Sequence, residues 1–552
     1  MNPAPAPELP RRARPSELAA LVTLPLFLLL PLLLHPIVGA VSHAIDVLFI
    51  FNLATSLLWL LLFHLASTRP IVTYLLLAPL FVTTAIDLFL LYTFKGRLSS
   101  SYVTIALTDY AETGDFLSAY AQPLALAVLV LLAVYLPAVY AIRHVRRKPS
   151  RRAAAAAAAL LVAIYGAGFG WGVSHGTSMT RSVLDVMGKD LGAPVGVVFQ
   201  TGLAVQMLED AKELRQQRVA STLHAHKPIA AEGEIYVWVI GESSRPRNWS
   251  LFGYGRDTTP RLRATPGVVG LPAMLTTAPH TSIAVPSMLS LQPITDWPAV
   301  IGTRSVVSAF NEAGFKTYWL SAQEADSWGG YVPWVAAEAR HRRYFDRVYD
   351  GVLLDEFRKI LSSAGNAEKL FIVLHTKGSH FDYSRRYPPE FDRFKTPGGS
   401  YRDSVRDSYD NSVLYTDWFV SEVIASLAAR HGQSALVYAS DHGENLLDDD
   451  QRLLGHAVGN PYDLETAALF WLSEPLRQRL PGAEAALRNN AGAALSLENL
   501  PHSMLHLAGI QADGLDPKRS VFSEAFAPRK RSYIVRGALR AEMPGAPGAE
   551  AP

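Results

Sequence analysis

The stretch 235-IYVWVIGESSRPRN-248 opens with six apolar residues in a row and then turns abruptly polar. So short a run, rich in β-branched and aromatic side chains, reads as a strand covered on both faces. Four other runs share its character: KTYWLS (316–321), KLFIVLH (369–375), ALVYAS (435–440) and ALFWLS (468–473). Helical patterns separate them, so the chain from 234 to about 525 is expected to form an α/β domain.

The residues after three of these strands carry the chemistry. The first run ends in Gly241-Glu242, the third in His375 with His380 five residues on, and the fourth in Asp441-His442-Gly443-Glu444; His456 follows in LLGHAVGNPY. In open α/β sheets, sites form outside the carboxyl ends of the strands, so parallel strands would gather these groups on one rim. Carboxylate and imidazole without sulfur suit catalytic zinc, or manganese. Each residue alone also has a plainer reading, as a helix cap, a surface charge or a structural histidine. The conjunction of several strand ends favours a metal site.

The same stretch contains Ser243 and Ser244, but neither sits in a nucleophile motif. Gly241-Glu242-Ser243-Ser244-Arg245 lacks the second glycine of a hydrolase elbow. Ser244-Arg245-Pro246-Arg247 places its arginine one position early for a serine-type sulfatase. Both serines are therefore expected to be turn and helix-capping residues. A better nucleophile lies in LTTAPHTSIAVPSMLS, which offers Thr276, Thr277, Thr281 and Ser282 at the start of a helical pattern. A hydroxyl beside a divalent metal is activated, and free N–H groups at a helix start favour phosphate. Spacing alone leaves these hydroxyls open.

At 552 residues the chain is too long for one compact domain. Its net charge of +2 and lack of a basic stripe give no sign of nucleic-acid binding. The absence of cysteine excludes disulfides, thiolate zinc sites and thiol catalysis. Mean hydropathy is +0.13, and the excess is concentrated in five segments near the ~20 residues a membrane helix needs: 18–40, 46–66, 70–93, 121–142 and 153–172. Arg11, Arg12 and Arg14 precede the first. Arg143, Arg146, Arg147, Lys148, Arg151 and Arg152 lie between the fourth and fifth. The positive-inside rule then puts the N-terminus in the cytoplasm and everything after Trp171 outside. Asp46 and Asp87 lie within or beside spans. The expected organisation is a five-helix membrane domain (1–172), an amphipathic connector (173–232), an outer α/β domain (233–525) and a tail (526–552) whose Pro/Ala/Gly-rich end lacks folding signals. The pair His224-x-His226 in the connector reads as linker rather than ligand.

The stretches VIGESSRPRNWSLFGYGRDTTPRL, LHTKGSHFDYSRRYP, YDNSVLYTDWFVSEVI, YASDHGE and LAGIQADGLDPKRS occur in the order found in bacterial phosphoethanolamine transferases. These are membrane enzymes of the alkaline phosphatase/sulfatase superfamily, and the chain resembles them over nearly its whole length. TDYAE (108–112) resembles a short motif of that family's outer loop. The resemblance implies an alkaline phosphatase/sulfatase-like domain with a central, mostly parallel sheet. It also implies Zn²⁺, one ion or two, with Mn²⁺ the alternative. The family's metal ligands fall on Glu242, Asp441 and His442, and its nucleophile, also a ligand, on Thr281. Its substrate-phosphate or second-metal residues fall on His380 and His456, more weakly on His375, with Glu444 nearby. The implied reaction moves phosphoethanolamine from phosphatidylethanolamine to lipopolysaccharide through a phosphothreonine. The implied setting is an inner-membrane monomer among lipids, with its catalytic domain in the periplasm. The lack of cysteine, and SAQEADSWGGYVPW (321–334) where many lipid A-modifying members carry a lysine between cysteines, look more like the branch acting on core heptose. Modification of lipid A phosphate would instead imply resistance to cationic peptides. Alternatives on the same scaffold are a phosphoglycerol transferase, a phosphodiesterase or a non-catalytic membrane scaffold.

Overall fold

The computed structural model describes residues 121–142, 195–229, 233–323, 331–345, 349–448, 453–535 and 538–541, with isolated residues between 71 and 163. The chain divides into two units, one of Met1–Thr104 with Phe116–Gln206, the other of Ile105–Asp115 with Met207–Pro552. In the first, helix Ala121–Ile142 has the bounds of the fourth expected span, although among the described residues no helix is long and apolar enough to cross a membrane. The expected spans 18–40 and 46–66, half of 70–93, most of 153–172, Asp46, Asp87 and TDYAE lie outside the described residues.

Among the described residues, the second unit contains thirteen strands. In chain order they are β1 (Ile235–Gly241), β2 (Val268–Gly270), β3 (Met274–Leu275), β4 (Lys316–Ser321), β5 (His341–Tyr344), β6 (Leu370–His375), β7 (Ser434–Ser440), β8 (Asn445–Leu446), β9 (Leu454–Gly455), β10 (Ala468–Leu472), β11 (Leu495–Ser496), β12 (Ser532–Val535) and β13 (Ala538–Ala541). Seven form one sheet in the order β2-β10-β7-β1-β6-β4-β5. β7, β1, β6, β4 and β5 run parallel; β10 is antiparallel to both β7 and β2.

The continuous apolar runs follow from this layering. Along β1, Tyr236, Trp238 and Ile240 enter one core, with Phe310, Phe371 and Met504, while Ile235, Val237 and Val239 enter a second, with Phe357, Tyr409 and Val423. Side chains alternate across a strand, so a strand covered on both faces must be apolar at every position. Helix Thr281–Met288 sends Val285 and Met288 into the first core, and the long helix Tyr401–Ala428 sends Tyr409, Val413 and Val420 into the second.

The two segments that flank the α/β domain are tied to it. The connector does not end in free linker: His226 and Gln511 exchange backbone hydrogen bonds at 2.9 Å, and His224 Nδ1 lies 2.7 Å from Asp513. The stretch after 525 contains the β12–β13 hairpin, tethered by the Ile534 N–H donating to the Thr277 carbonyl at 2.8 Å.

Candidate metal centre

β1 and β7 are parallel neighbours with Gly241 opposite Ser440, so the residues that follow them emerge side by side. These are Glu242 and the Asp441-His442 pair, all at most 1% exposed. His442 Nε2 lies 3.3 Å from Glu242 Oε1 and 3.4 Å from Asp441 Oδ2. Thr281, first residue of helix Thr281–Met288, donates its hydroxyl to Glu242 Oε2 at 3.0 Å and stands 3.5 Å from His442 Nε2. The competing hydroxyls are engaged elsewhere. Thr276 donates to the Ala278 and Asp441 carbonyls, Thr277 bonds Ser287, and Ser282 lies 3.1 Å from His280 Nδ1.

Burial works against charge throughout this cluster. With the neighbouring Glu242, it pushes Asp441 up to about 7. It pushes His442 down, but Asp441 and Glu242 outweigh it and bring the imidazole up to about 9. Burial raises Glu242 too, yet His442 holds that carboxyl well below its usual range. Two buried carboxylates thus face a single imidazole, and among the described residues Asp441 Oδ2 accepts no hydrogen bond. Even with that imidazole protonated, two carboxylates leave the cluster short of positive charge, and its carboxylate and imidazole donors match a divalent cation. The imidazole is also set for coordination. His442 Nδ1 donates to the Gly443 carbonyl at 2.8 Å, so Nδ1 keeps its proton and a bound cation would displace only the one on Nε2.

A second group comprises His442, Glu444 and His456. Glu444 accepts from the Tyr383 hydroxyl at 2.7 Å through Oε1 and from His456 Nδ1 at 3.0 Å through Oε2. The His456 ring centre is 4.2 Å from that of His442 and 6.3 Å from that of His380. His380 Nδ1 donates to the Phe381 carbonyl at 2.6 Å. His375 belongs to neither group among the described residues. It is buried edge-on against Trp319, with Nδ1 3.4 Å from Ser321 Oγ, and burial pushes it down to about 4.

The structure corrects the reading of the serines. The 3₁₀ turn Pro246–Asn248 begins at Arg245 with no side-chain cap, so neither serine caps it. Ser243, at φ +54°, does form the turn, and its hydroxyl donates to Glu242 Oε1 at 2.9 Å. Ser244 Oγ accepts from the Trp249 indole at 2.8 Å.

Several supporting residues carried no sequence signal. Arg245, 4% exposed, grips Asp448 through two nitrogens at 2.6 and 2.9 Å. It also donates to Asn248 at 2.7 Å and to the Glu444 carbonyl at 3.0 Å. The Tyr409 hydroxyl donates to the Ser243 carbonyl at 2.6 Å. Gly378, at φ +50°, packs on Glu242 so closely that a Cβ would lie 2.8 Å from the Glu242 carbonyl oxygen and 2.9 Å from its nitrogen. Asp350 holds that turn by accepting from the Lys377 and Gly378 N–H groups at 2.7 and 3.0 Å.

Against known proteins, the family described as Sulfatase matches residues 234–510. The phosphoethanolamine transferase EptC of Escherichia coli is 29% identical over 322 residues, 54% of this chain and 55% of that protein. EptA of Salmonella typhimurium is 30% identical over 325 residues, 53% and 57% respectively. The chain thus spans about half the length of the curated relatives it matches. Among solved structures, the C-terminal periplasmic domain of E. coli EptC in complex with zinc aligns at TM-score 0.53 and 27% identity, over 58% of this chain and 95% of that one. The integral membrane protein lipooligosaccharide phosphoethanolamine transferase A of Neisseria meningitidis aligns at TM-score 0.65 and 22% identity, over 91% and 97%, a likeness of fold.

Proposed function

The chain belongs to the sulfatase family, and from that premise we propose that it transfers phosphoethanolamine from phosphatidylethanolamine to lipopolysaccharide, with Thr281 as nucleophile. The observation that best supports this reading is the Thr281 hydroxyl at the start of its helix, 3.0 Å from Glu242 Oε2 and within the Glu242/Asp441/His442 cluster. Relatives named phosphoethanolamine transferases, and a zinc complex of one such periplasmic domain, agree with it.

Glu242, Asp441 and His442 would hold zinc, joined by the Thr281 oxygen. When bound, the ion supplies Lewis acidity that makes a hydroxyl a competent nucleophile near neutral pH and offsets phosphoryl charge. Glu242 Oε2 orients the Thr281 oxygen, and the helix N-terminus behind it favours the incoming phosphate. Thr281 loses its proton and forms a bond to phosphorus as the bond to the diacylglycerol oxygen breaks, and diacylglycerol departs with a proton. An acceptor oxygen then attacks phosphothreonine, restoring the hydroxyl and giving ping-pong kinetics. His380 and His456 face this space as donors to phosphoryl oxygens or as holders of a second zinc. The second role fits better, since each ring gives its Nδ1 proton to a protein oxygen and a neutral ring then has only a lone pair at Nε2.

Donor and acceptor are both lipids, which accords with the five apolar segments. The proposed setting is the bacterial inner membrane, N-terminus in the cytoplasm and the Glu242 domain in the periplasm. Core heptose is the favoured acceptor, in keeping with the cysteine-free sequence. If lipid A phosphate is modified instead, the added amine would reduce surface negative charge and protect against cationic peptides.

Mass spectrometry of lipopolysaccharide from cells with and without the protein tests this. A phosphoethanolamine increment present with wild type and absent with Thr281→Ala is expected. A phosphoglycerol increment, donor consumption without any increment, or no change in either lipid would overturn it.

A further inference from the structure

Each carboxylate oxygen of Glu242 has its own protein donor. Ser243 Oγ serves Oε1 at 2.9 Å, and Gln323 Nε2 serves Oε2 at 2.9 Å. Gln323 Nε2 also donates to the Thr376 carbonyl at 3.0 Å. A carboxylate and a carbonyl can only accept, so the nitrogen of this amide must face both, and its two hydrogens are fully assigned. The bridge joins three strand ends. Gln323 follows β4, Thr376 follows β6 with Ser321 paired to His375, and Glu242 follows β1. The backbone holds the amide from below, since the Gln323 N–H donates to Ser321 Oγ at 3.0 Å.

Oε2 is also the oxygen that accepts the Thr281 hydroxyl. We propose, resting on the reading of Glu242 as a zinc ligand and Thr281 as nucleophile, that Gln323 is a positioning residue. Its amide fixes the rotation of the Glu242 carboxylate, so that Oε2 stays aimed at the Thr281 oxygen and Oε1 at His442 Nε2. Gln323 acts through Glu242 and touches no reacting atom. Without it, Oε2 keeps only the Thr281 hydroxyl, the group it is meant to aim, and the carboxylate can turn about its terminal torsion, which is broad and roughly two-fold. Partners that orient a metal ligand change metal affinity or activity by about 10–100-fold.

The test uses the full-length protein in detergent and the substitution Gln323→Met, which keeps side-chain length and removes the donor. Zinc affinity by chelator competition, kcat and KM for a fluorescent phosphatidylethanolamine at saturating zinc, and the unfolding midpoint are measured together. The expected result is a zinc Kd raised about 10–100-fold and a lowered kcat, with donor KM and unfolding midpoint of the zinc-free protein unchanged. Wild-type zinc affinity and kcat in the variant would overturn the proposal. So would a rise in KM alone, which marks a substrate contact, or a fall in stability alone, which marks a packing role. Zinc affinity is read without substrate, so a wild type that binds zinc but transfers nothing sinks the transferase reading while Gln323 is still decided. A wild type that binds no zinc sinks both.

Discussion

The Thr281 hydroxyl donates to Glu242 Oε2 at 3.0 Å across 39 residues of sequence. It links the helix start at 281 with the turn after β1. Thr281→Ala removes the oxygen proposed to attack but leaves Glu242, Asp441 and His442 in place. Transfer should fall to background, with no burst of diacylglycerol release, while the protein still binds zinc. Thr281→Ser keeps the oxygen and should retain part of the burst. Stopped-flow release of labelled diacylglycerol with parallel metal analysis checks both, and a full burst from the alanine variant would assign the nucleophile elsewhere.

Gly378→Ala places a methyl group about where the Glu242 backbone already lies, at a residue with φ +50°. An alanine in that region of backbone space costs about 1–3 kcal/mol, and the crowding adds to it. The strain falls on the metal-side turn, so the variant should lose both stability and zinc affinity. Denaturant titration and chelator competition read the two losses. A variant with wild-type zinc affinity would show that the turn yields without moving Glu242.

How much of this was legible depended on whether the physics left a mark on residue type. The strands β1, β6 and β7 lie between two cores, so their inner positions are apolar and the carboxylates and imidazoles at their ends stand out. Strand β5 reads His341-Arg342-Arg343-Tyr344, because an edge strand with exposed side chains needs no apolar pattern, and the sequence offered none. Gln323 left no mark, since its role is a single amide orientation set by tertiary contact. Ser243 was visible only as a turn residue, and its bond to Glu242 follows from an unusual φ that sequence does not announce. His375 and His380 looked alike as histidines near a strand end. One is packed against Trp319 and the other faces His456 across the site.

Arg245 closes the far side of the turn that holds Glu242. Its guanidinium is buried and makes paired bonds to Asp448, so truncation leaves Asp448 without its cation, keeping the Leu446 N–H, and takes a donor from the Glu444 carbonyl. Breaking such a pair from one side costs about 3 kcal/mol. Arg245→Lys keeps the charge but not the planar fork, and should recover only part of the loss. Equilibrium unfolding of wild type, Arg245→Ala and Arg245→Lys decides this. Equal stability of the lysine variant and wild type would show that charge alone matters here.

Acid should weaken the fold through His502, far in sequence from the metal centre. The residue is 1% exposed, and its Nδ1 accepts the Asp516 N–H at 3.1 Å. Burial, reinforced by Arg519, pushes it from 6.5 down to about 3. A histidine held neutral in the fold but free to charge when unfolded gives stability that is complete above pH 6.5. Below that value the unfolded chain takes up a proton that the folded chain refuses, so stability falls as pH drops toward 3. One such group contributes a slope of at most about 1.4 kcal/mol per pH unit. His502→Gln can still accept the Asp516 N–H and cannot titrate, so its stability should decline less steeply between those limits. Unfolding midpoints of wild type and variant, followed by tryptophan fluorescence from pH 7.5 to pH 4.5, supply the comparison. Parallel curves would mean that His502 takes up its proton in the folded chain as readily as in the unfolded one.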